Sequence, residues 1–487
     1  MRTISGHHLA RALGDWSRAD ASGPAYVRLA SAVRMLIFDG RLPLEARLPG
    51  ERELATALGV SRTTVTAAYD LLRDSGYARS RQGSGTRTTL PETGGTDPAG
   101  GYFAPFAPDG SAVVDLAHAA PEAPLQALNE AHAAATEQLP RFLTSSGYNV
   151  FGLPELRRAV ADRFTARGLP TTPEQIFIAS GAQHAFSMVL SLLVHPGDRV
   201  LIDHPTYPNA IDAIHRAAAR AVPVALTDDG WDIEAFAASV RQTAPNLAYL
   251  VPDFNNPTGH LADDDVRRAL AIPLRRGRTL TVVDETLAEL PLGPADGEPP
   301  APFATYVDNG LTITIGTMSK TLWGGLRVGW IRAEASIIRR LAAVRASFDI
   351  SSPVLNQLIA VELLKRADDV LATRREDIRT RRDALMAAMG QALPEWRART
   401  PCGGLVLWYD IGAPVSTRLV TEVERYGIRL AAGPRFGIDG AFERRLRLPY
   451  SLPVETLRHA VPIIARAYAA VADSTGHVTD GLGDLVA

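Results

Sequence analysis

At 487 residues, 46% of them hydrophobic and 21% charged, the chain is long for one domain and holds enough apolar material for a large core, which excludes global disorder. No apolar run approaches the roughly 20 residues a membrane span requires, since the best, Ala185 to Val194, contains two serines and stops at Pro196-Gly197. The single cysteine, Cys402, excludes an intramolecular disulfide and any multi-cysteine metal centre.

The first residues, MRTISGHHLARALGDW, lack the apolar core and small-residue cleavage site of a secretory leader, so the expected location is cytoplasmic, with no membrane partner. The formal net charge of −2 conceals an asymmetry. Residues 1–90 carry 13 Arg, no Lys and 8 acidic residues, a net +5, which leaves −7 for the remainder. A basic front on an acidic body suits nucleic-acid binding at one end, although charge of this size also falls within ordinary variation. Lysine is scarce. Lys320 and Lys365 stand against 49 Arg, so any lysine-dependent chemistry has two candidates.

Residues 1–22 read as an N-terminal arm, helical around His8 to Trp16. Residues 23–89 read as three short helices and a hairpin. Val27 to Phe38 places Ala30, Val33 and Ile37 at helical spacing, and Glu51 to Leu58 forms a second helix. Gly59-Val60 turns the chain, and Ser61 can N-cap a third helix reaching about Ser75, with Val65, Ala68 and Leu72 facing inward. Tyr77 to Thr88, with Gly83 and Gly85 inside, reads as a small wing. Residues 90–111, rich in Pro and Gly and poor in aliphatics, read as a semi-flexible linker. Beyond them IFIA, RVLI, AVPV, AYLV, LTVV and TITI alternate with amphipathic segments, the α/β pattern of a mainly parallel sheet covered by helices. This body is expected over 112–473: an arm and large part to 335, then one long helical stretch from about Ile337 to Leu393 and a smaller C-terminal α+β part. Residues 474–487 read as a loose tail.

The segment LPGERELATALGVSRTTVTAAYDLLRDSGYARSRQGSGT resembles the GntR family of regulators over about sixty residues, which implies a winged helix-turn-helix and a double-stranded DNA operator as partner. The third helix would enter a major groove with Arg62, Thr63 and Thr64 at the base edges. Arg can read guanine through two hydrogen bonds, and Thr can contact phosphate or a thymine methyl. By resemblance Arg52 on the preceding helix and the wing around Arg81 and Gly83 add contacts. Read alone, Arg62-Thr63-Thr64 only begins a solvated helix; the complete helix-turn-helix-wing pattern is what points to DNA.

Along the body, YNVFG, SGAQ, HPTYPN, NNPTG, LTVVDET, TIGTMSKTLWGGLRVGW and RRLRLPYS occur in the order and at the spacings of the fold-type-I aminotransferases, which residues 113–472 resemble. The resemblance implies pyridoxal 5'-phosphate (PLP), whose aldehyde needs a lysine. Lys320 follows an apolar strand, whereas Lys365 lies among charged residues on a helix and reads as a surface lysine. A cofactor phosphate needs N–H groups at a helix start, hydroxyls and a cation. By resemblance Gly181, Ala182 and Gln183 cradle it, with Thr317, Ser319 and Arg327 completing the cup. Asp284 would keep the pyridine nitrogen protonated, Asn256 would meet the ring's phenolic oxygen, and Tyr207 would stack on the ring. Arg447 matches the arginine that holds a ligand carboxylate, while Arg444 and Arg445 read as surface charges. Tyr148 matches the tyrosine that reaches the neighbouring subunit's phosphate, implying a homodimer with shared sites. Singly, a strand-end Asp, a loop Asn or a lone Tyr is structural more often than not; the joint set carries the reading. Other chemistry is weakly supported: the eleven histidines show no metal-ligand spacing, His7-His8 reads as an exposed pair, and Cys402 reads as packed.

A GntR-type reader, a linker and an aminotransferase-like body, in that order, resemble the MocR subfamily of GntR regulators along nearly the whole chain. That resemblance implies a PLP-dependent regulator in which the body senses the cofactor or an amino compound. Two departures stand out. Where many members carry a tyrosine shortly after the strand-end aspartate, this chain has Thr286, and where many replace the asparagine of NPTG by an aromatic, it keeps Asn256. The second departure favours the alternative of a working aminotransferase with a DNA-binding head. A third reading makes the body a dimerisation scaffold only; the intact set Lys320, Asp284, Asn256 and Arg327 argues against it.

Overall fold

The computed structural model describes residues 3–14, 16, 24–38, 41–44, 46–81, 85–89, 113–293, 297–307 and 309–472. The expected linker and tail lie outside the described residues, as do Gly83 and the side chain of Arg81. Among the described residues no helix is long and apolar enough to cross a membrane.

The N-terminal part comprises helices α1 (Gly6–Leu13), α2 (Ala25–Phe38), α3 (Glu51–Leu58) and α4 (Arg62–Asp74), followed by the antiparallel strands β1 (Ala78–Arg81) and β2 (Gly85–Thr88). Local chemistry sets the boundaries. The Ser5 and Ser61 hydroxyls accept from the first-turn amides of His8 and Thr64, and Gly59, at φ +66°, ends α3 in the left-handed region that suits glycine. One apolar cluster, including Leu9, Leu13, Leu29, Val33, Leu54, Val65 and Leu72, joins all four helices. Buried Tyr69 satisfies its hydroxyl on the Pro49 carbonyl at 3.0 Å.

The large part of the body starts with β3 (Val114–Leu116), α5 (Leu125–Gln138) and α6 (Pro154–Ala166). It continues through β4 (Ile176–Ala179), α7 (Ala182–Leu193), β5 (Arg199–His204), α8 (Pro208–Arg216), β6 (Arg220–Thr227), β7 (Gly230–Trp231), α9 (Ile233–Thr243) and β8 (Leu247–Leu250). It ends with α10 (Asp264–Gly277), β9 (Leu280–Asp284), β10 (Thr312–Thr317) and β11 (Gly329–Arg332). Its eight-stranded sheet runs β4-β11-β10-β9-β8-β5-β6-β7, parallel except for β11 and the edge strand β7. Ile176–Ala179, Leu247–Leu250 and Thr312–Thr317 are buried throughout, as strands covered on both faces must be. The loops after β4, β5, β8, β9 and β10 all open at the carboxyl edge of the sheet, where parallel α/β folds hold their ligands.

Helices α11 (Ala335–Arg345), α12 (Val354–Leu364) and α13 (Ala367–Ala392) follow, where one long helical stretch was expected. The breaks fall at Ile350, with φ +63° ahead of Pro353, and at Lys365-Arg366. The C-terminal part adds β12 (Val406–Asp410), α14 (Ser416–Glu424), β13 (Ile428–Ala432), β14 (Arg445–Pro449) and α15 (Val454–Ala472). Its sheet, β12-β14-β13-β3, recruits β3 from more than 300 residues upstream, in parallel register Val114↔Ile428. Hydropathy alternation carries no trace of that pairing. The pairing brings the Ala117 carbonyl within reach of Arg447 on β14.

Candidate functional site

The loop from β4 into α7 is built around Gly181, at φ +100°; a Cβ there would stand 2.9 Å from an Arg327 guanidinium nitrogen. The Ser180 carbonyl accepts from Arg327 Nη2 at 2.6 Å, which sets that guanidinium beside the first turn of α7. Across the opening, Thr317 Oγ1 and Ser319 Oγ lie 2.9 Å apart at the end of β10. Gln183 donates to the Asn209 carbonyl at 3.2 Å, and Asn209 donates to the Tyr207 hydroxyl at 2.9 Å, so the loops carrying Gln183 and Tyr207 are cross-linked. The Gln183 Oε1 is buried with no hydrogen-bond partner among the described residues. Helix-start amides, two hydroxyls and a guanidinium are the donor set a phosphate group needs.

Lys320 is partly buried and donates to the Ala119 carbonyl at 2.8 Å. Burial lowers its amine to about 8, helped by the Arg447 and Arg327 cations, while Asp284 pulls the other way. An amine so adjusted is largely able to act as a nucleophile toward an aldehyde at mildly alkaline pH. Asp284 ends β9 and accepts from the Tyr249 hydroxyl at 2.7 Å and from the Thr286 amide at 3.0 Å. Burial pushes its carboxyl up, opposed by hydrogen bonds from Thr286 and Tyr249 and by Lys320. A cationic ring nitrogen is the kind of partner that would hold this carboxylate ionised. Arg447 is 4% exposed. Its guanidinium donates to the Ala117 carbonyl and, at 3.5 Å, to Asn256 Oδ1, and it lies 5.1 Å from the Phe436 ring centre. The donor set, the adjusted amine and the strand-end carboxylate fit PLP.

Tyr148 stands apart, 65% exposed on this chain. Lys365 is solvated and paired with Glu362 at 2.6 Å, as a surface lysine should be. Two expectations need correcting. Arg445 is no free surface charge: it begins β14 and pairs with Asp228 at 2.7 Å because the strand end brings the two together. Cys402 is exposed rather than packed. Sequence reasoning missed Tyr249, whose hydroxyl reaches Asp284 only because β8 and β9 are neighbours. It also missed the Ala117 and Ala119 carbonyls, which no side-chain motif could reveal.

In the head, α4 presents Arg62 and Thr63 to solvent, with Thr64 half-buried; Arg52 on α3 is also exposed. Arg62, its side chain 72% exposed, pairs with Glu51 at 3.2 Å. Glu51 also accepts from Thr66 at 2.9 Å. Ser61 Oγ lies 2.7 Å from Thr63 Oγ1 and 2.8 Å from Thr64 Oγ1, so the cap and the expected reading hydroxyls form one cluster. Sequence reasoning also left out Glu51.

Residues 113–464 match the family Aminotransferase class I and II. The chain belongs to that family. Residues 25–88 match the bacterial regulatory proteins of the gntR family, so the aminotransferase body carries a GntR helix-turn-helix, as the resemblance implied. Across nearly its full length the chain is similar to the uncharacterized HTH-type transcriptional regulator YisV of Bacillus subtilis, 25% identical over 90% of this chain and 95% of that one. It is 31% identical to the probable rhizopine catabolism regulatory protein MocR of Rhizobium meliloti, over 64% of this chain and 66% of that one. Among solved structures, it resembles LysN, the alpha-aminoadipate aminotransferase of Thermus thermophilus complexed with N-(5'-phosphopyridoxyl)-L-leucine. That likeness has a TM-score of 0.68 at 27% identity, covering 74% of this chain and 93% of that one. The aminotransferase family and such neighbours imply dependence on PLP, and the GntR helix-turn-helix implies DNA binding.

Proposed function

We propose that this chain is a transcription regulator whose aminotransferase-like body binds PLP and senses it, or an amino compound, to change how a pair of heads engages an operator. One observation carries the reading: a single chain joins a head exposing Arg62 and Thr63 on α4 to a body in which Asp284 and Lys320 follow the neighbouring strands β9 and β10, and Lys320 and Arg447 both reach the segment after β3. Bound there, PLP would supply an aldehyde for a lysine amine and an electron-withdrawing ring.

The chain's own residues divide the work. Gly181, Ala182, Gln183, Thr317, Ser319 and Arg327 would hold the phosphate, and Lys320 would present its amine to the aldehyde. Tyr207 covers a ring face, Asn256 meets the phenolic oxygen, and Asp284, oriented by Tyr249, keeps a proton on the ring nitrogen. Arg447 binds the carboxylate of an amino compound. Exposed Tyr148 suits a site completed by a second copy, and the proposed assembly is a homodimer. The proposed divisions are an arm over 1–22, head 23–89, linker 90–111, body 112–473 and tail 474–487. In the head, Arg62, Thr63 and Thr64 read bases, with Arg52, Arg81 and Gly83 alongside on the DNA.

A second reading, an aminotransferase that also binds DNA, is favoured by one feature: Asn256 and Arg447 are both retained and 3.5 Å apart. The test is borohydride reduction of PLP-treated protein followed by peptide mapping, together with assay of an amino donor and a keto acid. The pyridoxyl group should map to Lys320, with negligible turnover. Labelling of Lys365 would overturn the site assignment, and sustained amino transfer would favour the second reading.

A further inference from the structure

We infer that residues 433–443, between β13 and β14, are the element through which the body's ligand site acts on the DNA-reading head. The inference rests on the proposed PLP site and goes beyond it by naming the physical connection.

The segment is tied to the ligand site at Phe436. Its carbonyl accepts from the Thr206 amide at 2.9 Å, immediately before Tyr207. Its ring lies under the Arg447 guanidinium, 5.1 Å from centre to carbon. The residue next to the one proposed to cover the cofactor ring and the residue proposed to hold a ligand carboxylate therefore both bear on Phe436. Two residues further on, the Ile438 amide donates to His204 Nε2 at 3.1 Å, and the His204 ring packs 4.7 Å from Phe442. Trp408 packs edge-to-face with both rings, at 5.5 Å to Phe436 and 6.0 Å to Phe442, so the segment is one packed unit.

Its other side touches the head. A Cβ on Gly440 would come within 2.7 Å of the Arg11 carbonyl at the end of α1. Gly14, just beyond α1, lies against Glu443, which is itself held by the Thr417 amide at 3.1 Å. Pro434 and Arg435 share one cavity wall with Leu13, Met35 and Arg41 of the head. Ala12, Ala32 and Leu36 of the head and Thr417 and Ala432 of the body line the same small cavity, which has room for about one water. An element with one face on the ligand-binding groups and the other packed against the head supplies the contiguous contact along which two sites can be coupled.

Two substitutions attack the contact from opposite sides and spare the ligand groups: Gly440→Val in the segment and Ala12→Glu on α1, where Ala12 lines the same cavity. Full-length protein is compared with and without PLP by hydrogen exchange, and by binding to DNA that the wild type selects from a random-sequence pool. In the wild type, PLP should change amide exchange in residues 434–443 and in α1 and α2, and should shift DNA affinity by about 5- to 150-fold. Both variants should still incorporate a pyridoxyl group at Lys320 after borohydride reduction. Exchange in α1 and α2 should then no longer respond to PLP, and the affinity shift should fall to near onefold. Should Gly440→Val fail to fold, because φ there is +77°, the head-side Ala12→Glu decides. Retention of the full response in folded variants overturns the inference, as does wild-type labelling of Lys320 with no change of exchange in α1 or α2. Absence of labelling at Lys320 instead overturns the PLP site on which the inference rests.

Discussion

Lys320 shows how far one residue's environment can be read as chemistry. Its amine, lowered by burial from 10.5 to about 8, holds fewer protons in the folded chain than in the unfolded chain between those values. The cost of burying its ammonium is therefore fully present below pH 8 and is relieved as pH rises from 8 to 10.5, by at most about 3 kcal/mol. Denaturant titrations of PLP-free protein should show wild type gaining stability relative to Lys320→Met across that interval; a pH-independent difference would contradict it. In the same protein, the rate of covalent capture of PLP should rise with pH and level off above about 8, read by visible absorbance. Arg62 is the corresponding residue in the head. Arg62→Ala should cost about 1–3 kcal/mol in specific DNA binding, lost mainly at one base position, whereas Arg52→Ala should weaken all sequences alike. Because Glu51 holds Arg62 in the free protein, Glu51→Gln should loosen the arginine and alter its selectivity, as binding to single-base operator variants will reveal.

At the scale of elements, the sequence was most legible where structure is local. Ser61 and Gly59 bracket the turn before α4, and the observed Arg62–Asp74 helix follows from that cap and from Val65, Ala68 and Leu72 on its inner face. Ser61→Ala should lower the head's stability by about 1 kcal/mol. It should also free Thr63 and Thr64, so thermal unfolding and DNA binding should both change. Asp284 and Lys320 were legible because the first ends and the second closely follows an apolar strand at the same edge of one sheet. What escaped was non-local. The joining of β3 to β13 spans the whole large part, and no periodicity within Val114–Leu116 encodes it. Tyr249 becomes the partner of Asp284 only through strand order. The expected long helix after Ile337 is three because Ile350 and Pro353 interrupt it and a second break falls at Lys365-Arg366; amphipathic spacing persists across such breaks and disguises them. Thr286 was noted as a departure for its side chain, yet its backbone amide still serves Asp284.

At the scale of the whole molecule, the account joins two halves whose families are each clear. DNA affinity should fall steeply with salt, since phosphate contacts by a basic head release counterions. If the homodimer presents two heads, an operator with two half-sites should bind far more tightly than one half-site, and only the former should sense the relative placement of the heads. The most direct test is a titration of both DNAs, at one fixed salt concentration, with PLP-free and PLP-loaded protein. The account predicts an affinity shift of about 5- to 150-fold for the two-half-site DNA and almost none for the single half-site. Equal affinities for the two protein forms on both DNAs, with or without added amino compounds, would contradict it.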